Sequence, residues 1–253
     1  MKRFDDFYRR VLAYAFDFLL IQLFVSILVD SSVINFQHND YSKTYKEYEN
    51  NYEEYYSYKD IEVKDCEDLR TQIENKKIKL DEITTAFSEV SDEDECDKLI
   101  ETINSKKLSE EEFDKRTNNL FYKLQRFSTF KYVMMVIITY LYLVLFQGFT
   151  RGKTLGKKIM RVRVSSKDDK DVTYKQLAIR TLFLGNVIYY SLNAILPWTI
   201  DKNVYLLIGN GIYVLNNLFY IVMIVVAYSS KDMIGIHDKI AGTKVIIEER
   251  LKK

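Results

Sequence analysis

No glycine precedes Gly148, and Pro197 is the only proline among the 253 residues. The first 147 residues therefore lack the strongest turn formers, and long helices are the simplest way to build them. Only two cysteines occur, Cys66 and Cys96, too few for a disulfide framework. No charge of one sign dominates: the formal net charge is +1, so no global basic footprint points to nucleic acid. Mean hydropathy is slightly negative and on its own would suggest a soluble chain. That average mixes long apolar runs with one very polar stretch, and the local pattern sets the class.

Four apolar runs stand out. Val11 to Val29 spans nineteen residues, about 28 Å of helix at ~1.5 Å per residue, against a hydrocarbon core of roughly 30 Å. It is too long for a cleaved signal segment and lacks a small-x-small cleavage site, so it reads as a retained span. The others are Tyr132 to Phe149, Thr181 to Trp198 and Val204 to Tyr228. The third carries Asn186, Ser191 and Asn193 and is the weakest. Tyr8, Tyr132, Trp198, Tyr205 and Tyr228 sit near run ends, as an interfacial aromatic belt requires. The expected fold is an all-α membrane protein with four transmembrane helices in the cell membrane.

Lysine and arginine set the orientation. Lys2, Arg3, Arg9 and Arg10 precede the first run, ten Lys and Arg lie between Arg151 and Arg180, and Lys231, Lys239, Lys244, Arg250, Lys252 and Lys253 follow the last. The loop between the third and fourth runs has only Lys202. Four spans place all three basic segments on one side, with both termini cytoplasmic. The expected organisation is 1–29 N-terminus and first span, 30–130 extracytoplasmic insert, 131–149 second span, 150–180 basic cytoplasmic segment, 181–228 third and fourth spans and 229–253 cytoplasmic tail.

The insert holds 25 acids and 15 bases, and a long loop crosses largely regardless of charge. After a Tyr-rich start, Cys66, Leu69, Ile73, Leu80, Ile83, Phe87 and Val90 recur at spacings of a heptad stripe, as in a coiled coil. Ser91 to Asp94 and Ser109 to Glu112 are helix-start signatures, the second a capping box. A helical hairpin follows, its last helix running toward the second span. A Cys66–Cys96 disulfide would suit an oxidising exterior. It would put the hairpin turn near Asp81, whereas the caps put it near Ser91, so bridged and free thiols both stay open. Ile159 to Val164 alternates with period two and Thr243 to Glu248 is β-branched, so the two can pair as a small cytoplasmic β element. Thr173 and Gln176 begin a helix that leads through Arg180 into the third span.

Asp17 is the most informative residue. It lies about 9 Å into its span, where an unpaired carboxylate costs several kcal/mol and demands a partner. Arg10, Ala13 and Asp17 share one helical face. An ion or proton site and a structural salt bridge both fit. Gly148, Gly152 and Gly156 recur every four residues and would form a small-residue packing face if helical. The same run is one residue short of a phosphate-loop spacing and follows a span, which excludes nucleotide binding. Its basic residues fit contact with anionic lipids at the cytoplasmic face. His237 and Asp238 follow the fourth run. A lone histidine without a second ligand makes a poor metal site, so no metal is expected. No nucleophile–base set or paired-carboxylate site stands out; no enzyme activity and no cofactor are expected.

Three separated motifs together resemble the RDD family of bacterial membrane proteins: YRRVLAYAFD (Tyr8 to Asp17), GKTLGKKIMRVRV (Gly152 to Val164) with Arg180 after it, and HDKIAGTKVI (His237 to Ile246). The resemblance implies that Arg9 or Arg10, Asp17 and Asp238 are the residues for which the family is named. The insert falls outside it. The family resembles a set of transport or accessory membrane proteins, with cation/proton exchange implied for some members. Two functions follow as expectations. One is a cation or proton transporter using Asp17, tuned by Arg10, with His237 or Asp238 at its mouth and a homodimer packed on the three glycines. The other is a non-transporting scaffold whose hairpin binds an extracytoplasmic protein.

Overall fold

The computed structural model describes residues 2–31, 36–74, 81–88, 90, 93–230 and 232–248, without the side chains of residues 2, 3, 81, 82 and 93. Leu80 of the heptad stripe, Ser91 of the first cap signature, and Lys231, Arg250, Lys252 and Lys253 of the basic tail lie outside the described residues.

The elements are, in order, α1 (Lys2–Asp30), α2 (His38–Tyr58), α3 (Cys66–Glu74), α4 (Asp81–Ser88), α5 (Glu93–Lys106), α6 (Glu110–Phe127) and α7 (Thr129–Tyr140). A π-helical turn over Leu141–Phe146 follows, then α8 (Gln147–Phe149), α9 (Leu155–Ile159), β1 (Val162–Ser166), α10 (Tyr174–Leu184), α11 (Val187–Thr199), α12 (Lys202–Ser229), α13 (Ile236–Ala241) and β2 (Thr243–Ile247). Two compact units result: residues 1–41 with 125–253, and residues 42–124.

Helical stretches Phe4–Asp30, Glu110–Phe149 and Lys202–Ser229 include windows long and apolar enough to cross a membrane. On α1 the buried residues are Ala13, Asp17, Ile21 and Val25, a stripe of four-residue steps. Leu19, Leu23 and Ile27 on other faces stay more than half exposed. Hydrocarbon rather than water is the compatible surrounding for such a helix. Ile21 and Val25 pack with Met135, Leu143 and Tyr190 in the bundle core.

The third apolar run does not form one helix. It breaks at Gly185–Asn186, where Asn186 adopts φ 57°, a left-handed conformation that Asn tolerates. The run is divided between α10 and α11, and neither is among the three helices long and apolar enough to cross a membrane. Its far end, Trp198, donates Nε1–H to Thr129 Oγ1 at 2.7 Å and lies 4.0 Å beneath the Arg126 guanidinium. A break between two apolar helices needs its backbone groups paired. Tyr14 Oη donates to Leu184 O at 2.7 Å, Tyr220 Oη lies 3.1 and 3.0 Å from Phe183 O and Leu184 O, and Asn186 N–H donates to Tyr220 Oη at 3.0 Å. Asn216 Nδ2 reaches Asn186 Oδ1 at 3.2 Å, whereas Asn193 and Asn217 bond carbonyls of their own helices.

The expected β element is present. β1 and β2 pair antiparallel with Val162 opposite Ile247 and Ser166 opposite Thr243. Thr173 and Gln176 form a reciprocal capping box that starts α10.

In the second unit, Tyr55 stacks on Phe113 with ring centroids 3.9 Å apart, and Asn51 Nδ2 donates to Thr117 Oγ1 at 2.9 Å, so α2 and α6 are the paired arms. The Ser109–Glu112 capping box is formed. Leu69, Ile83, Cys96, Ile100 and Ile103 share one core with Tyr58 and Ile61. The described stripe residues Cys66, Leu69, Ile73, Ile83 and Phe87 are divided between α3 and α4. The sulfurs of Cys66 and Cys96 are bonded, with Cα atoms 6.1 Å apart.

Candidate functional site

Asp17 is 1% exposed although it sits on a span. Tyr142 of the second span and the segment after that span, folded back toward α1 through the turn at Gly152, supply its partners. Tyr142, within the π-helical turn, points its hydroxyl at Asp17, donating to Oδ1 at 2.8 Å. Thr154 is the N-cap of α9 and its Oγ1 donates to Asp17 Oδ2. Gly156 N–H donates to Oδ1 at 2.8 Å. Lys157 completes the set, with Nζ 3.4 Å from Oδ2 and further bonds to Thr154 Oγ1 at 3.1 Å and Gln147 Oε1 at 3.5 Å. One carboxylate thus accepts from a phenol, a hydroxyl, an amide and an ammonium. Burial pushes the Lys157 ammonium down to about 8, with Asp17 acting in the opposite direction.

The three glycines lie on three different elements, because the chain turns between them, and so form no common helix face. Gly148 is in α8 against the Tyr174 ring, and Gly152 has φ 88° in the turn, packed on the Val164 carbonyl. Gly156 lets α9 approach α1: a Cβ there would lie 2.3 Å from Ala13 O and 2.9 Å from Asp17 Oδ1.

A second charged cluster joins α10 to α13. Arg180 Nε donates to Asp238 Oδ1 at 2.8 Å, Thr243 Oγ1 donates to the same oxygen at 2.7 Å, and His237 Nε2 is 3.2 Å from Oδ2. Burial alone would raise the Asp238 pKa. The Arg180 charge, with the His237 and Thr243 hydrogen bonds, outweighs it and holds the carboxyl well below the usual range.

Arg10 does not bond Asp17. Its Nη1 donates to Met233 O and its Nη2 to Val245 O, both at 2.8 Å, tying α1 to the segment after α12 and to β2. Lys157 takes the role expected of Arg10, because α9 is the element packed on the buried stripe of α1. Of the two candidate arginines, Arg10 lines the site and Arg9 does not. A cavity of about 160 Å³ lies between the clusters, walled by Arg10, Lys157, Arg180, His237 and Asp238 and by hydrocarbon from α1 and α12. Among the described residues no three His, Cys, Asp or Glu side chains gather as metal ligands.

Tyr142, Thr154, Lys157, Arg180's pairing with Asp238, and Thr243 are the contacts that reading the sequence did not supply. Lys157 left one trace there. A lysine three residues after an N-cap threonine opposes the helix dipole, which calls for a nearby acid.

Residues 124–242 match the model of the RDD family. The match takes in Gly152 to Val164, Arg180, His237 and Asp238; Arg10 and Asp17 lie before it. No curated protein and no solved structure matches the chain.

Proposed function

We infer that this is a multi-pass membrane protein of the RDD family and that it moves a cation or proton through the Lys157–Asp17 pair. The observation that carries the reading is a protonatable lysine, 6% exposed, that lines the cavity on one side and touches the span carboxylate on the other. An intramembrane ionisable pair is rare and expensive, and such pairs mark proton relays and ion paths. An ammonium ordinarily near 10.5 and pushed down to about 8 exchanges its proton within reach of physiological pH. Loss of that proton frees Asp17 to hold a cation. Alternating occupancy of one carboxylate by Lys157 and by a cation would couple the two movements.

The basic flanks favour placing Lys157, Arg180, His237 and Asp238 at the cytoplasmic side, with both termini there and the insert outside. Reconstituted in liposomes, the wild type should show cation-linked proton movement that changes with pH around 8. Asp17→Asn and Lys157→Met should each reduce it about tenfold or more, the scale of a lost proton-transfer group. Equal fluxes in all three proteins, or none in any, would sink the reading.

The second unit favours a different role. Residues 42–124 form a separate compact body with its own core, larger than a connecting loop requires. A non-transporting scaffold that holds an extracytoplasmic protein through this body is the alternative. It predicts partner capture that vanishes when residues 42–124 are removed.

A further inference from the structure

We propose that the cavity between α1, α10, α12 and α13 is a binding site for the phosphate group of an anionic phospholipid, held by the guanidinium fork of Arg180. Arg180 is 5% exposed. Among the described residues its one hydrogen bond uses Nε, toward Asp238 Oδ1. Its two terminal nitrogens bond no protein group, and neither is sealed away as a buried unsatisfied atom. Arg180 lines the cavity. A planar fork with two free N–H edges matches two phosphate oxygens.

Charge points the same way. Arg10, Lys157 and Arg180 contribute three positive charges around the cavity. Asp238 is the carboxylate in its wall, and Asp17 lies behind Lys157. An anion entering the cavity therefore meets more cationic than anionic side chains in its lining. Asp238 occupies the Nε side of Arg180, so the anion meets the opposite edge.

The shape selects a lipid over a free ion. The cavity walls are mostly hydrocarbon. Its rim includes Val11 of α1, 41% exposed, and Ile224 of α12, 53% exposed, both on faces suited to acyl chains. The site lies where α1 begins and α12 ends, the depth of lipid headgroups. About 160 Å³ compares with ~30 Å³ per liquid water, room for a phosphodiester and its glycerol, with the chains along the α1–α12 seam. The proposal is independent of whether ions cross.

The test is equilibrium dialysis of radiolabelled dioctanoyl phosphatidylglycerol against the full chain in uncharged micelles. Wild type should show one saturable site per chain. Arg180→Lys replaces the fork by a point charge and should weaken binding about tenfold or more. Ala227→Phe fills the cavity from α12 without touching the buried charges and should weaken it similarly; this variant keeps the test valid if Arg180→Lys does not fold. Dioctanoyl phosphatidylcholine should compete poorly. Unchanged binding in Ala227→Phe, or binding that never saturates, overturns the site. Equal competition by phosphatidylcholine overturns the charge argument. Competition by inorganic phosphate at the same concentrations assigns the site to the free ion and overturns the lipid.

Discussion

At the scale of single residues, Lys157 and Asp17 explain each other. Asp17 lies within a span, where a carboxylate is costly unless it is partnered. Lys157, at the third position of α9, is electrostatically misplaced unless an acid meets it there. Breaking such a pair leaves one charge buried alone. Asp17→Asn should therefore destabilise the protein by ~3–5 kcal/mol, read as lower thermal stability in detergent. The double variant Asp17→Asn with Lys157→Met removes both charges and should recover most of that loss. No recovery would mean that the hydrogen bonds from Tyr142, Thr154 and Gly156, rather than the ion pair, hold α9 to α1. Arg10 works differently: its two bonds to main-chain carbonyls fasten segments together and leave the carboxylate to others.

At the scale of elements, two irregularities build the site. The π-helical turn over Leu141–Phe146 aims Tyr142 at Asp17. The break between α10 and α11 frees α10 to carry Arg180 to α13 while α11 turns off on its own course. At the break, Tyr14 and Tyr220 serve the carbonyls of Phe183 and Leu184. In the second unit, α3 and α5 meet through Cys66 and Cys96, separated by 30 residues in sequence. Closing a loop of that length restrains the unfolded chain by roughly 3–4 kcal/mol. Cys66→Ser should make residues 42–124 markedly more sensitive to protease, and reductant should do the same to the wild type. Insensitivity to reductant in material taken from native membranes would show the thiols unjoined and would count against an oxidising location for this unit.

At the scale of the whole molecule, each unit has its own core among the described residues. One set of buried residues serves 42–124, and others serve the bundle and its β pair. Replacing residues 42–124 by a short flexible linker should thus leave the melting temperature of the bundle near that of the full chain. Loss of bundle folding in the shortened protein would show that the second unit supports the first. If flux persists while partner capture disappears, the chain combines both proposed roles in separate bodies.

Much of this was written along the chain. Hydrophobic run lengths, the paired β stretches, the Thr173 and Ser109 capping boxes and the singularity of Asp17 are all local patterns, set by chain geometry and by the cost of a carboxylate in hydrocarbon. The glycine spacing misled because periodicity assumes a continuous helix, and the positive φ of Gly152 ends it. Which cation meets Asp17 was open in the sequence, because basic residues precede the span and fill the following segment alike. Only the packing of α9 on the Ala13–Asp17 stripe selected Lys157 over Arg10, since an ion pair depends on distances between elements far apart in the chain. The same holds for Arg180 and Asp238, 58 residues apart and joined at 2.8 Å.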